Sequence, residues 1–249
     1  MRSKCGLGWV RSVPDEPWTP RQLRPALWLR SDLGVTVAAG VSSWADHGGN
    51  GYHAVQAVGS RQPEYVPSAV GLFPGIRFSR LDTNMQLIST GSYPVGTSKF
   101  CVYTVTYMTA DDLAAQAGFY ADSICFGGPS SVFMAPCGHG TIDKRASAGI
   151  VGTASNSGVG AVVTDALFLH SFGHVSGSMI HRGGNTVVSV GPWVASNATS
   201  LSIGNYITGT IPFIGTAFEY VVFAREVTSF ENSQVISYLA SRYSRPWTT

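Results

Sequence analysis

The chain has 249 residues, 44% of them hydrophobic and only 12% charged, with 29 glycines and 13 prolines. That apolar share excludes disorder along the whole length, and sparse charge with abundant glycine suits many short strands and tight turns better than long solvated helices. A formal net charge of +2 is too small to make nucleic acid or an anionic membrane the main partner, and no stretch is long and apolar enough for a bilayer-spanning helix.

Residues 1–24 read as an extended arm and residues 25–249 as one domain. The arm holds Arg2, Lys4, Arg11, Arg21 and Arg24, with Pro14, Pro17 and Pro20 and two tryptophans, Trp9 and Trp18. Its prolines oppose regular structure, and so short a segment cannot bury two indoles within itself. The arm therefore packs on its own domain or reaches a neighbour. Trp9, Arg11, Trp18 and Arg21 are the candidate partner contacts, because aromatic and arginine side chains anchor protein interfaces. The opening MRSKCGLGWVRSVPDEPW lacks the apolar core of a signal peptide, so synthesis and folding in a cytoplasm are expected. The four cysteines, Cys5, Cys101, Cys125 and Cys137, have no C-x-x-C spacing and read as reduced thiols, although Cys125 and Cys137 could face each other across a hairpin.

From Pro25 the pattern becomes globular. Leu27 and Leu29 alternate with Trp28 as in a strand, Asp32 to Gly34 read as a turn, and Ser43 to His53 form a loop whose Gly48, Gly49 and Gly51 permit unusual backbone angles. A Pro-punctuated stretch then leads into a strand ending at Phe78. Ser98 to Met108 is a strand of apolar residues among threonines, and residues 109–116 form a helical turn or a loop. Phe119 to Phe126 and Val132 to Ala135 read as a hairpin, and Ser147 to Gly152 as a short strand. Residues 153–160, TASNSGVG, read as a flexible loop by composition. Residues 165–193 give two strands around Arg182-Gly183-Gly184-Asn185, a hairpin signal.

The last stretch, residues 210–243, organises the rest. Ile211, Phe213, Ala217, Phe218, Val221, Val222 and Phe223 make a buried strand with a break at Gly215. The period then changes. Thr228 stands three residues before Glu231, the spacing of a capping box, and Val235, Ile236, Leu239, Ala240 and Tyr243 recur at helical spacing. A buried strand followed at once by an amphipathic helix requires a broad apolar sheet for both to cover.

PALWLRSDLG at residues 25–34, the W-x-D-x-x-G-x-G-x-H loop from Trp44 to His53, GIRFS at 75–79, LSIGNY at 201–206 and the strand–helix end resemble the laminin-G-like, concanavalin A-like jelly-roll domains of the kind found in bacteriophage virion proteins. The resemblance implies an all-β fold: one antiparallel β-sandwich with the arm in front and a short closing helix over residues 228–243. It implies a structural or binding protein, most of all a virion component that decorates a capsid or serves in a tail or fibre. Such a component docks on other virion proteins through its arm, presents loops 43–53 and 153–160, stands in several copies in an assembly, and meets a host-surface glycan. The alternative is a soluble carbohydrate-binding lectin; a glycosidase with an unfamiliar acid pair ranks below both.

The residues bear on these alternatives. Glycosidic hydrolysis takes two carboxylates on opposite sides of the bond. The E-x-D-x-E strand of the glucanases of this fold is missing, Glu219 is isolated in AFEYVVF, and adjacent Asp111 and Asp112 cannot share a strand face. No G-x-S-x-G or phosphate-cradling loop occurs, and Cys137-Gly138-His139 reads as a turn. The protein is therefore expected not to be an enzyme and to need no cofactor. His170 and His174 share one strand face and read as structural. Since related lectin-like domains hold calcium in loops, the resemblance implies a calcium position at Asp46 and Asn50; the plainer reading is that both bond their own loop backbone while Trp44 packs in the core. Tyr52, Trp193, Asn197, Asn205 and Tyr206 are the candidate glycan contacts.

Overall fold

The computed structural model describes residues 17–79, 87–89, 99–116, 124–127, 132–135, 145–150, 156–161, 163–190, 200–205 and 213–247. After a 3-10 turn at Pro20–Leu23 come β1 (Leu27–Arg30), β2 (Val35–Val37), β3 (Val41–Trp44), β4 (Ala54–Val55), β5 (Glu64–Val70), β6 (Phe73–Phe78) and β7 (Leu87–Ser89). Next stand β8 (Cys101–Met108), the short helix α1 (Ala110–Ala115), β9 (Ile124–Gly127), β10 (Val132–Ala135), β11 (Arg145–Ile150) and β12 (Asn156–Ala161). The chain closes with β13 (Ala166–Val175), β14 (Ser178–Gly183), β15 (Thr186–Val190), β16 (Ser200–Ile203), β17 (Gly215–Phe223) and helix α2 (Ser229–Arg242).

The fold is the antiparallel β-sandwich expected from the sequence. One sheet runs β15-β14-β13-β8-β17-β6-β5, with β1 also on β17, and the other runs β12-β11-β10-β9-β16-β7-β4-β3-β2. Side chains of the first sheet alternate between two apolar layers. Leu27, Leu29, Val102, Phe172, Ala217, Tyr220 and Val222 point between the sheets, where Trp44, Ile124, Leu201 and Ile203 of the second sheet meet them. Trp28, Tyr103, Val105, Leu169, Phe218, Val221 and Phe223 point outward into a second layer, which α2 covers with Val235, Ile236, Leu239 and Tyr243. This is the broad surface that the strand–helix end requires.

Both helix starts follow from side-chain chemistry. Thr228 accepts from the Glu231 N–H at 3.1 Å while Glu231 accepts from the Thr228 N–H at 2.8 Å, so each residue meets a donor the helix leaves free. Residues 109–116, open between turn and loop in the sequence, form α1 with the same device between Thr109 and Asp112. Asp112 also accepts a two-pronged bond from Arg77 at 2.8 and 2.5 Å.

Not every expectation holds. Of the loop expected at residues 153–160, residues 156–160 instead lie in β12, which pairs with β11, and residues 153–155 fall outside the described residues. Glycine and serine signal loops by composition, but pairing to a neighbouring strand needs only the backbone. Residues 165–193 hold three strands, not two, because a tight turn at Ser176 and Gly177 adds a hairpin before the one at Gly184 and Asn185. Of the arm, residues 17–24 lie among the described residues, and there Trp18 and Leu23 pack against the outer apolar layer, as in the alternative of an arm lying on its own domain. Of the cysteines, Cys101 is a buried thiol, pushed by that burial up to about 12; Cys125 lies on β9 opposite Phe133, and Cys5 and Cys137 fall outside the described residues.

Candidate functional site: an aromatic cleft beside the closing helix

The loop from Ser43 to His53 was the first place to seek a ligand. There the Asp46 carboxylate is spent on backbone. One oxygen accepts from the N–H groups of Trp28 at 2.9 Å and Gly48 at 2.7 Å, and the other from Asn50 at 3.1 Å and Tyr52 at 3.3 Å. These bonds use about all four lone-pair positions of a carboxylate. The Asn50 side chain donates to the carbonyls of Pro25 and Ala26, both at 3.0 Å. Gly48 is required here, since a Cβ would stand 2.8 Å from the Pro25 carbonyl. Trp44 is fully buried, donates to the Arg30 carbonyl at 2.7 Å and packs edge-on against Tyr220. Asp46 and Asn50 thus both bond backbone, and among the described residues no three His, Cys, Asp or Glu side chains gather to hold a metal.

The other candidates fare unequally. Tyr52 packs against the inner core. Asn205 is fully buried, so its side chain offers no surface to a glycan. Trp193, Asn197 and Tyr206, like the arm residues Trp9 and Arg11, lie outside the described residues. Arg21 is exposed on the 3-10 turn. His170 does not pair with His174 but faces His181 across β13 and β14, with their Nε2 atoms 2.8 Å apart and both rings buried. Burial holds both histidines in their neutral form, and for His181 the value falls to about 3.

A cleft of about 730 Å³ opens where residues 17–19 meet β1 and α2. On α2, Gln234, Ser237, Tyr238, Ser241 and Arg242 recur at helical spacing on the face beside the buried one. On β1, the outward alternation that hides Trp28 also brings Arg30 to the cleft wall. Trp18 and Tyr238 meet edge to face at 6.0 Å, and Trp28 lies beneath them, 6.3 Å from Tyr238. The result is an aromatic floor with hydroxyls and an amide on its rim.

Below that floor runs a chain of alternating charge. Glu219 is 1% exposed. It accepts from the Trp28 indole at 2.7 Å and the Tyr243 hydroxyl at 2.9 Å, and Arg242 lies 3.1 Å away. Arg242 reaches Asp32 at 2.7 Å, and Asp32 holds Arg30 through bonds of 3.1 and 2.8 Å. Burial raises the Glu219 carboxyl above its ordinary range, against the pull of Trp28 and Arg242. Burial acts the same way on Asp32, but its bonds from Arg30 and Arg242 prevail and hold it below the usual carboxylate range. A break of register in β17 between Ala217 and Glu219 makes this possible. The bulge lets Phe218 and Glu219 both face the helix, where strict alternation would send one of them inward.

Sequence reasoning marked Trp18 as an arm contact and missed Arg30, Tyr238 and Arg242. The helical spacing of residues 234, 238, 241 and 242, polar and aromatic next to the apolar stripe, was the available signal.

No family model matches this chain, and no curated protein matches it. Solved structures share its fold. Domain 4 of AbnA, an extracellular arabinanase of family GH43 from Geobacillus stearothermophilus, solved with arabinotriose, aligns with a TM-score of 0.57 at 11% identity over 85% of this chain and 97% of that one. The binding domain of botulinum neurotoxin serotype D aligns with a TM-score of 0.57 at 10% identity, over 88% of this chain and 51% of that one. A Trypanosoma rangeli sialidase structure with 2,3-difluorosialic acid aligns with a TM-score of 0.55 at 11% identity, over 88% of this chain. This chain spans about a third of the sialidase's length, 33%.

Proposed function

We propose that this protein is a non-catalytic carbohydrate-binding module that takes a neutral oligosaccharide into the cleft beside α2. The observation that carries the reading is the cleft itself. Sugars present C–H faces that stack on aromatic rings and hydroxyls that exchange hydrogen bonds. Trp18 and Tyr238 offer the rings, while Thr19, Gln234, Ser237 and Ser241 offer the polar rim. Neutrality follows from the charges: the guanidiniums of Arg30 and Arg242 are matched by Asp32 and Glu219, so an anionic sugar finds no spare cation between them. The same pairing argues against turnover, since hydrolysis needs two carboxylates reaching the glycosidic bond, whereas Glu219 is sealed in the core and Asp32 is engaged by both arginines. The likeness to an arabinanase domain solved with arabinotriose supports the reading at the level of fold.

Calorimetric titration against a panel of neutral and acidic oligosaccharides tests it. Binding of a neutral sugar is expected, weakened about tenfold or more by Trp18→Ala, through loss of a stacking ring, and blocked by Ser241→Trp, which fills the cleft from an exposed position. Binding that ignores both substitutions, or no binding across the panel, would overturn the assignment.

A further inference from the structure

The first sheet ends in β5 on one side and β15 on the other. A sheet edge leaves a row of backbone N–H and C=O groups without a strand partner, and natural sheets guard such rows with charges, prolines, bulges or brevity. The β5 edge is guarded. Its sequence EYVPSAV carries Glu64 at one end and Pro67 at its centre, and its register against β6 breaks between Val66 and Val70. The second sheet's edge at this end, β2, has three residues and its own register break.

The β15 edge has none of these devices. Its sequence TVVSV has no charge and no proline, and it pairs with β14 through five consecutive positions without a break. Val187 and Val188, on opposite faces of the strand, are 43% and 36% exposed. The second sheet's edge here, β12, packs against β15 and is likewise uncharged, NSGVGA. Among the described residues no strand pairs with the outer side of β15. Among the described residues, one end of the sandwich is thus defended and the other bare.

We propose that two copies of this chain pair antiparallel through β15, making one continuous sheet across a two-fold axis. A strand edge calls for another strand, and an antiparallel pairing of β15 with itself satisfies both copies in one contact. Identical residues come close to each other across such an axis, so the pairing tolerates no charge on the strand, and β15 has none. The valines of the two strands gain burial on both faces, and a net charge of +2 per chain adds little repulsion.

Light scattering on the full chain, coupled to size exclusion over a dilution series, tests the pairing. The expected mass rises with concentration from 26.4 kDa to twice that value. Val187→Lys and Val188→Lys are expected to weaken association about tenfold or more by bringing like charges near each other across the axis, while Ser68→Lys on the β5 edge leaves it unchanged. Hydrogen exchange on the unmodified chain provides a readout that no folding defect can confuse: amides of residues 186–190 gain protection as concentration rises. A monomer at every concentration, a dimer indifferent to both β15 lysines, or protection gained on another strand instead would each overturn the proposal.

Discussion

At the scale of single residues, Asp46 joins a loop to a strand. Its four N–H donors come from Trp28 on β1 and from three positions of the loop. Asp46→Ala would leave the buried Trp28 N–H and three part-buried loop N–H groups without this acceptor, at a cost of about 1–3 kcal/mol. Asp46→Asn keeps one acceptor oxygen and is expected to cost less. Urea unfolding of the three proteins measures the order directly. The same geometry predicts that calcium and a chelator leave the thermal midpoint unmoved; a rise with calcium would mean that the carboxylate is free to ligate, and the loop reading would fail. Asp46 could be read from the sequence as far as its chemistry, an acid in a glycine-rich loop after a tryptophan. Its loop partners were legible as well, in the plainer reading that it bonds its own loop backbone, but Trp28 was not, because it lies 18 residues away and only the pairing of β1 with β17 fixes where its N–H points.

At the scale of elements, β13 and β14 bury two histidines that share one hydrogen bond. Each ring stays neutral when folded, whereas in the unfolded chain a histidine titrates at its ordinary value of about 6.5. The sign follows. The folded values are depressed, so the stabilisation is complete above the unfolded value and is lost as pH falls below it, because only the unfolded chain then takes up the protons. Two such groups lose about 4 kcal/mol between pH 7 and pH 5, at about 1.4 kcal/mol per pH unit for each fully titrating site. Asp32 and Asp112, whose folded values lie below 3.8, contribute their own losses only in more acid solution. Melting curves of the native chain should therefore decline from pH 6.5 downward, and those of His170→Leu combined with His181→Leu should decline much less, the residual fall coming from His174, which burial also holds below its ordinary value. A native melting point that holds steady to pH 5 would sink this account. The strand carrying His170 was legible from its apolar run, and His170 and His174 do share a face. That His170 finds His181 instead depends on the turn at Ser176 and Gly177, a Ser-Gly turn signal that the reading of residues 165–193 as two strands passed over. The bulge in β17 was equally hidden: AFEYVVF is apolar on both faces, so no alternation marks where the register shifts.

At the scale of the molecule, α2 is a third layer and not an appendage. The first sheet has apolar side chains on both faces, as the nine buried residues of β17 show, and a sandwich of two sheets covers only one face. Val235, Ile236, Leu239 and Tyr243, with Trp247 beyond the helix end, close the other. Each such side chain contributes about 1.5–3 kcal/mol by burial, so together they approach the whole net stability of a domain, about 5–15 kcal/mol. Removing residues 228–249 would also uncover Trp28, Phe218 and Phe223 and strip Glu219 of Tyr243 and Arg242, leaving a buried carboxylate short of partners. The truncated chain is expected to be insoluble or to bind a hydrophobic dye strongly, and Trp247→Ala alone to cost about 3 kcal/mol in urea unfolding. The cleft shares this dependence, because its helix wall and its Tyr238 floor belong to α2. Any substitution that loosens the helix should weaken sugar binding and stability together, whereas Ser241→Trp should abolish binding with the melting point preserved. A truncated chain that stays monomeric, soluble and cooperatively folded would show that the sandwich closes without its third layer, and would detach the cleft from the architecture that is held here to create it.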